Sequence, residues 1–245
     1  MNKALIFLLI TLELFLPVGL ASAQKKAWTE WSKDDAEKMI TDSPWAQTQT
    51  DTETSQRLYS RTADPNATSD RTTAAANARL ARGAINREVN VKFRVRFFSA
   101  RPVRQALARL IHLEEKPGEE VLEKLYAFAE RKSASSIIVT ASFDSTDRGY
   151  LGTITQAFTT ATTSILKNNT YLERSDGKRL YLEQYVPPGK DGFGARFIFP
   201  RKVDGRPFLN SKSGEVRFHT EYPIGIQIDR RYKVAQMLYN GEIEY

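Results

Sequence analysis

Residues 171–186 read YLERSDGKRLYLEQYV, and this stretch decides the fold class. Tyr171–Arg174 and Lys178–Val186 flank Ser175-Asp176-Gly177, and Asp-Gly between two strand-forming runs is a strong short-range hairpin signal. Strand readings continue from there to Tyr245. Ala195–Phe199, Glu215–Tyr222, Gly225–Arg230 and Leu238–Tyr245 are rich in β-branched and aromatic residues, with Pro and Gly clusters between them. Upstream the character is mixed. Val91, Phe93, Val95 and Phe97 alternate with Lys92, Arg94 and Arg96, the pattern of a strand with one wet face. Pro102 opens a helix with Val103, Ala106, Leu107, Leu110 and Ile111 inward, and Pro117 opens a second with Val121, Leu122, Leu125, Phe128 and Ala129 inward. Ile137–Phe143 reads as a buried strand, and residues 150–166 have helical spacing weakened by many threonines. The expectation is an α+β fold, with short helices in the N-terminal half followed by a largely antiparallel β-sheet or sandwich, together spanning residues 88–245.

Other segments precede that domain. Lys3, an apolar run from Ala4 to Leu16 and the small residues Ala21-Ser22-Ala23 make residues 1–23 a signal peptide. The run is short for a bilayer span and contains Glu13, so cleavage before Gln24 is expected rather than a retained anchor helix. That places the mature chain in the periplasm or the medium, without a transmembrane span. Residues 24–45 read as a Trp-rich helical cassette, in which Ser32 caps a helix starting at Lys33 and Asp35 closes a capping box. Trp28, Trp31 and Trp45 bracket this helix and are the only tryptophans in the chain. Such a short segment cannot bury them itself, so they are candidate docking residues, against the protein's own domain or against a partner. Residues 46–87 read as a flexible polar connector, because between 46 and 77 only Leu58 and Tyr59 are large apolar side chains. An edge strand near Thr48–Thr54 is the alternative.

Composition narrows the function. The 245 residues include 36 Lys plus Arg against 29 Asp plus Glu, a net charge of +7, with two His and no Cys. Cysteine catalysis, zinc ribbons, iron–sulfur ligation and disulfides are therefore excluded. His112 ends a helix, where the dipole favours it, and His219 is expected at the surface of a strand with Glu221 on the same face. No Gly-x-Ser-x-Gly accompanies that couple. Asp144–Gly149 lacks the ligand spacing of a calcium loop, and Gly189–Gly194 lacks the context of a phosphate loop and reads as a strand connector. No catalytic, cofactor or metal-binding set emerges.

Charge is distributed unevenly. From Arg79 to Arg109 there are nine basic residues and one acid, net +8, whereas Glu114 to Glu130 holds six acids and two bases, net −4. The two regions compensate one another in one reading. In the other, Lys92, Arg94, Arg96, Arg101 and Arg104 form an exposed stripe for an anionic partner such as an envelope polymer, with nucleic acid disfavoured by export.

The opening Trp28-x-x-Trp31-Ser32 with Asp35-Ala36-Glu37-Lys38, followed by Asp42-Ser43-Pro44-Trp45-Ala46, resembles that of a group of uncharacterised secreted bacterial proteins. Phe98-Ser99-Ala100-x-Pro102-Val103-Arg104-Gln105-Ala106-Leu107, Phe197-x-Phe199-Pro200-Arg201 and Met237-x-x-x-Gly241-Glu242-Ile243-Glu244 extend the likeness. The resemblance implies export and a shared architecture but no activity. The resulting expectation is an exported, soluble cell-envelope protein acting as a non-catalytic binding module, through contacts with an envelope protein or an anionic polymer. An exported hydrolase with an unrecognised site is the alternative.

Overall fold

The computed structural model describes residues 26–51, 90–132, 135–146 and 148–245. In chain order the strands are β1 (Ala46–Asp51), β2 (Val91–Phe97), β3 (Ser136–Ser145), β4 (Thr170–Arg174), β5 (Arg179–Tyr181), β6 (Gln184–Val186), β7 (Ala195–Pro200), β8 (Lys202–Val203), β9 (Arg206–Pro207), β10 (Glu215–Glu221), β11 (Gln227–Lys233), β12 (Leu238–Tyr239) and β13 (Glu242–Ile243). The helices are α1 (Lys33–Thr41), α2 (Arg101–Glu115), α3 (Glu119–Glu130), α4 (Arg148–Thr160) and the single turn α5 (Thr163–Leu166). The fold is α+β, and the sheets are antiparallel throughout.

Two sheets face each other, one ordered β1-β2-β3-β7-β6 and the other β11-β10-β4-β5. Alternation along β2 turns Val91, Phe93, Val95 and Phe97 inward, and each is buried. Phe197 of β7 meets Phe218 of β10 edge-on with ring centroids 5.1 Å apart, and Phe97 meets Tyr232 of β11 at 4.9 Å. These edge-to-face pairs between facing sheets form the centre of the core. At one end of the sandwich α4 inserts Ile154 and Phe158, and Phe158 stacks on Tyr222 with centroids 4.6 Å apart. Helical spacing thus prevails over the threonines in α4. Their hydroxyls donate back to carbonyls one turn earlier, as Thr155 does to Leu151 at 2.6 Å.

Both borders of the sandwich are closed. On one side the chain crosses from β5 to β6, changing sheets, and the Leu182 and Glu183 amides donate to Thr170 and Ile198 across the corner. On the other, β1 and β11 are edge strands that lie side by side, and glutamine side chains join them. Gln49 Nε2 donates to the Gln227 carbonyl at 2.9 Å while Gln49 Oε1 accepts from the Asp229 amide at 2.8 Å. Gln47 Nε2 donates to the Arg231 carbonyl at 2.8 Å. A side-chain amide carries the same donor and acceptor as a peptide group, so these glutamines stand in for the missing ladder.

That seam corrects the reading of residues 46–87 as connector from its first residue. Residues 46–51 are strand, held on one side by the backbone ladder to β2 and on the other by glutamine side chains bonded to β11. Positions 52–87, like residues 1–23 that the sequence reads as a signal peptide, lie outside the described residues. Val121, expected inward on α3, is 53% exposed. The last strand is in fact the tight hairpin β12–β13, turned by Asn240 and Gly241 at φ 50° and 82°. Asn-Gly supplies the left-handed pair that such a turn needs. Gly194 ends the glycine-rich loop at φ +83°, and a Cβ there would lie 2.2 Å from the Ala141 carbonyl oxygen of β3. Close backbone approach is what requires glycine at that point.

Candidate functional site

The capping box forms as the sequence predicts. Ser32 Oγ accepts from the Asp35 amide at 3.1 Å and the Ser32 amide donates to Asp35 Oδ2 at 2.9 Å, which starts α1 at Lys33. The cassette then docks on its own domain. Trp28 packs edge-on against Tyr126 of α3 and donates its indole N–H to Glu130 at 2.7 Å. The Trp31 carbonyl accepts from Arg109 Nε at 2.7 Å, and the buried Trp45 donates to the Glu244 carbonyl at 2.7 Å. Of the docking candidates, Trp28 is therefore occupied within the fold and Trp45 is sunk into it, while Trp31 stays partly exposed.

The basic stripe does not stand open. Lys92 is exposed, and Arg94 lies 3.7 Å from Asp144. Arg96 is buried and donates to the Ile40 carbonyl at 2.6 Å and to Ser142 Oγ at 3.2 Å. Burial, together with the neighbouring Arg94 charge, pushes its pKa down to about 10. Arg101 pairs with Glu244 at 3.0 Å and Glu242 at 3.6 Å, with its side chain mostly covered. Arg104 is 4% exposed and donates to the carbonyls of Ser99, Phe128 and Arg131. These arginines cap chain ends and pin β13 to α2. The expectation of a contiguous exposed stripe is corrected, because side chains alternate as predicted but α1 and the C-terminal hairpin cover that face.

His219 is also placed differently from the expectation. It is buried, and its Nδ1 faces Asp229 Oδ2 at 3.2 Å across the β10–β11 ladder rather than Glu221. Tyr171 stacks on its ring with centroids 4.9 Å apart. Arg217 Nε donates to both oxygens of Asp229 at 2.9 Å. Burial would raise the Asp229 carboxyl, but bonds from Arg217 and His219 outweigh it and hold the pKa below the usual carboxylate range. Such a ladder fastens β11 to β10. His112 accepts or donates through Nδ1 to the Tyr126 hydroxyl at 2.9 Å, inside the α2–α3 packing. Among the described residues no cluster of three or more His, Asp or Glu could hold a metal ion, and no helix is long and apolar enough to cross a membrane.

A groove lies where the cassette, the β1–β11 seam and the C-terminal hairpin meet. Its larger part, about 790 Å³, is lined by Thr41, Asp42, Ser43, Gln47, Arg230 and Lys233. A smaller part, about 360 Å³, is lined by Trp31, Met39, Trp45, Leu238 and Tyr239 with Lys26. The parts share Pro44 and Gln236 as lining residues, so they lie side by side. Leu238 is 50% exposed here. Arg230 is oriented by Gln47 Oε1, which accepts from its Nε at 3.1 Å and its Nη2 at 2.9 Å. Lys233 is exposed and makes no ion pair among the described residues. The Tyr239 ring is held by its hydroxyl, which donates to Gln105 Oε1 at 2.6 Å, and burial raises its pKa.

Apart from the tryptophans, sequence reasoning missed these residues. The one signal that could have pointed here is Asn240-Gly241, a hairpin turn that presents Leu238 and Tyr239. Compared with family models, curated proteins and solved structures, the chain matches none.

Proposed function

We propose that this is an exported, non-catalytic binding module of the cell envelope that engages its partner through the groove between the cassette and the C-terminal hairpin. The carrying observation is an aromatic cleft set directly beside a polar, cationic one, with Pro44 and Gln236 lining both. Ligand sites combine apolar walls with a few oriented polar groups, and both parts lie in the size range typical of such sites. Export rests on Lys3, the apolar run and Ala21-Ser22-Ala23, and the resemblance to secreted bacterial proteins agrees with it. The non-catalytic reading is supported by His112 and His219 each being engaged in packing contacts within the fold.

The test is co-sedimentation of the mature chain, residues 24–245, with washed envelope fragments. Gln236 and Leu238 are exposed, so Gln236→Glu with Leu238→Glu alters the groove without disturbing the core. Retention of the parent chain and loss in the double variant, with unchanged circular dichroism, is the expected result. Equal retention of the two proteins would remove the groove as the contact surface.

A further inference from the structure

Resting on that reading, we infer that the groove takes a strand of acidic polysaccharide, whose sugar rings lie on the aromatic part and whose carboxylates meet Arg230 and Lys233. A pyranose ring has one face lined by C–H groups, and that face suits the partly exposed apolar side chains of Trp31, Tyr239 and Leu238. Its hydroxyls need donors and acceptors together. In the adjoining part Gln236 carries both, and Gln47, whose oxygen holds Arg230 and whose amide donates once to Arg231, keeps a second N–H.

Charge selects among sugars. Two cations, Arg230 and Lys233, stand against one acid, Asp42, in the polar part, whereas Lys26 at the aromatic end is already 3.7 Å from Asp35. Gln47 uses the Arg230 Nε and one Nη2 hydrogen bond, and a guanidinium carries five N–H groups, so donors remain for a carboxylate. The guanidinium is already oriented, so less freedom is lost on binding.

Other occupants fit less well. An extended peptide binds such a site by adding a strand to a free edge. The neighbouring edges of β1 and β11 are closed by the amides of Gln47 and Gln49. An acyl chain needs a long apolar trough, whereas the apolar part ends at Gln236 and Lys26.

The test measures binding of residues 24–245 to polygalacturonate, to its fully methyl-esterified form, to poly-glutamate and to phosphatidylglycerol vesicles, at low and high salt. Expected is binding to polygalacturonate at least about tenfold tighter than to the ester, weakened by salt, and about two- to fivefold weaker in Lys233→Gln. Gln236→Glu with Leu238→Glu is expected to abolish it. Equal binding of the acid and the ester would overturn the requirement for charge, while loss in the groove variant would leave the groove as a binding site. Binding to poly-glutamate or to vesicles as tight as to polygalacturonate would overturn the sugar assignment. Failure to bind any of the four probes, in a protein that still sediments with envelope fragments through the groove, would overturn the acidic-polysaccharide inference alone.

Discussion

Gln49 should be worth more than its half-buried position on an edge strand suggests. Its side-chain amide makes both hydrogen bonds of a missing ladder rung, to the Gln227 carbonyl at 2.9 Å and from the Asp229 amide at 2.8 Å. A hydrogen bond contributes about 0.5–1.5 kcal/mol net, so Gln49→Ala should cost about 1–3 kcal/mol. Gln49→Glu separates the two bonds. A carboxylate still accepts from Asp229 N–H but sets a negative oxygen against the Gln227 carbonyl, so the cost at neutral pH should equal or exceed that of alanine. On acidification the carboxyl protonates and can donate again, and the Gln49→Glu variant should recover part of the loss. Urea unfolding followed by circular dichroism gives the free energies, and native-state hydrogen exchange reads the Asp229 amide directly. A Gln49→Ala protein within about 0.5 kcal/mol of the parent, with an Asp229 amide that exchanges freely in the parent, would refute the seam.

The other expectations concern charge and backbone. Asp229 has its folded pKa lowered, so its stabilisation is present above the ordinary carboxylate value of about 3.9 and is lost as pH falls through the folded value; Asp229→Asn should therefore melt lower than the parent at pH 7, with the gap narrowing as pH falls below the ordinary carboxylate range, and a constant gap would contradict the ladder. Arg104 bonds to the carbonyls of Ser99, Phe128 and Arg131. Arg104→Ala should cost about 3 kcal/mol or more in guanidinium unfolding, and Arg104→Lys should fail to restore it, because a compact ammonium lacks the planar fork. Gly194→Ala places a methyl 2.2 Å from the Ala141 carbonyl oxygen at φ +83°, so a thermal melt should report a loss of about 2 kcal/mol or more.

Local chemistry was the legible part. The β4–β5 turn at Asp176-Gly177, the Ser32–Asp35 box and the alternation of β2 form as read, because each depends on residues within a few positions of one another. The hairpin arm read as Lys178–Val186, however, breaks after Tyr181 and ends as β6 in the other sheet. Long-range pairings were not legible. Trp45 finds its acceptor at Glu244 and Gln49 finds its own at Gln227, and no periodicity encodes such partners. The same blindness made the arginines of β2 and α2 look free, since nothing near Arg96 announces the Ile40 carbonyl that takes its guanidinium. His219 was paired by reading along one strand to Glu221, whereas the closer carboxylate lies across the sheet at Asp229. The groove belongs to the illegible class, because it forms only where positions near 26–48 meet positions near 230–239.

The most direct measurement is the amide and indole proton–nitrogen spectrum of residues 24–245 during titration with oligogalacturonate. The three tryptophan indoles act as built-in reporters. Trp31 and Trp45 line the groove, whereas Trp28 is held by Glu130 and Tyr126. The expected result is that the Trp31 indole and the Gln47 and Gln236 side-chain amides shift with one common affinity while the Trp28 indole stays fixed. Shifts centred instead on Tyr171, His219 and Arg217, with the Trp31 and Gln236 signals unmoved, would contradict the assignment of the groove as the binding site.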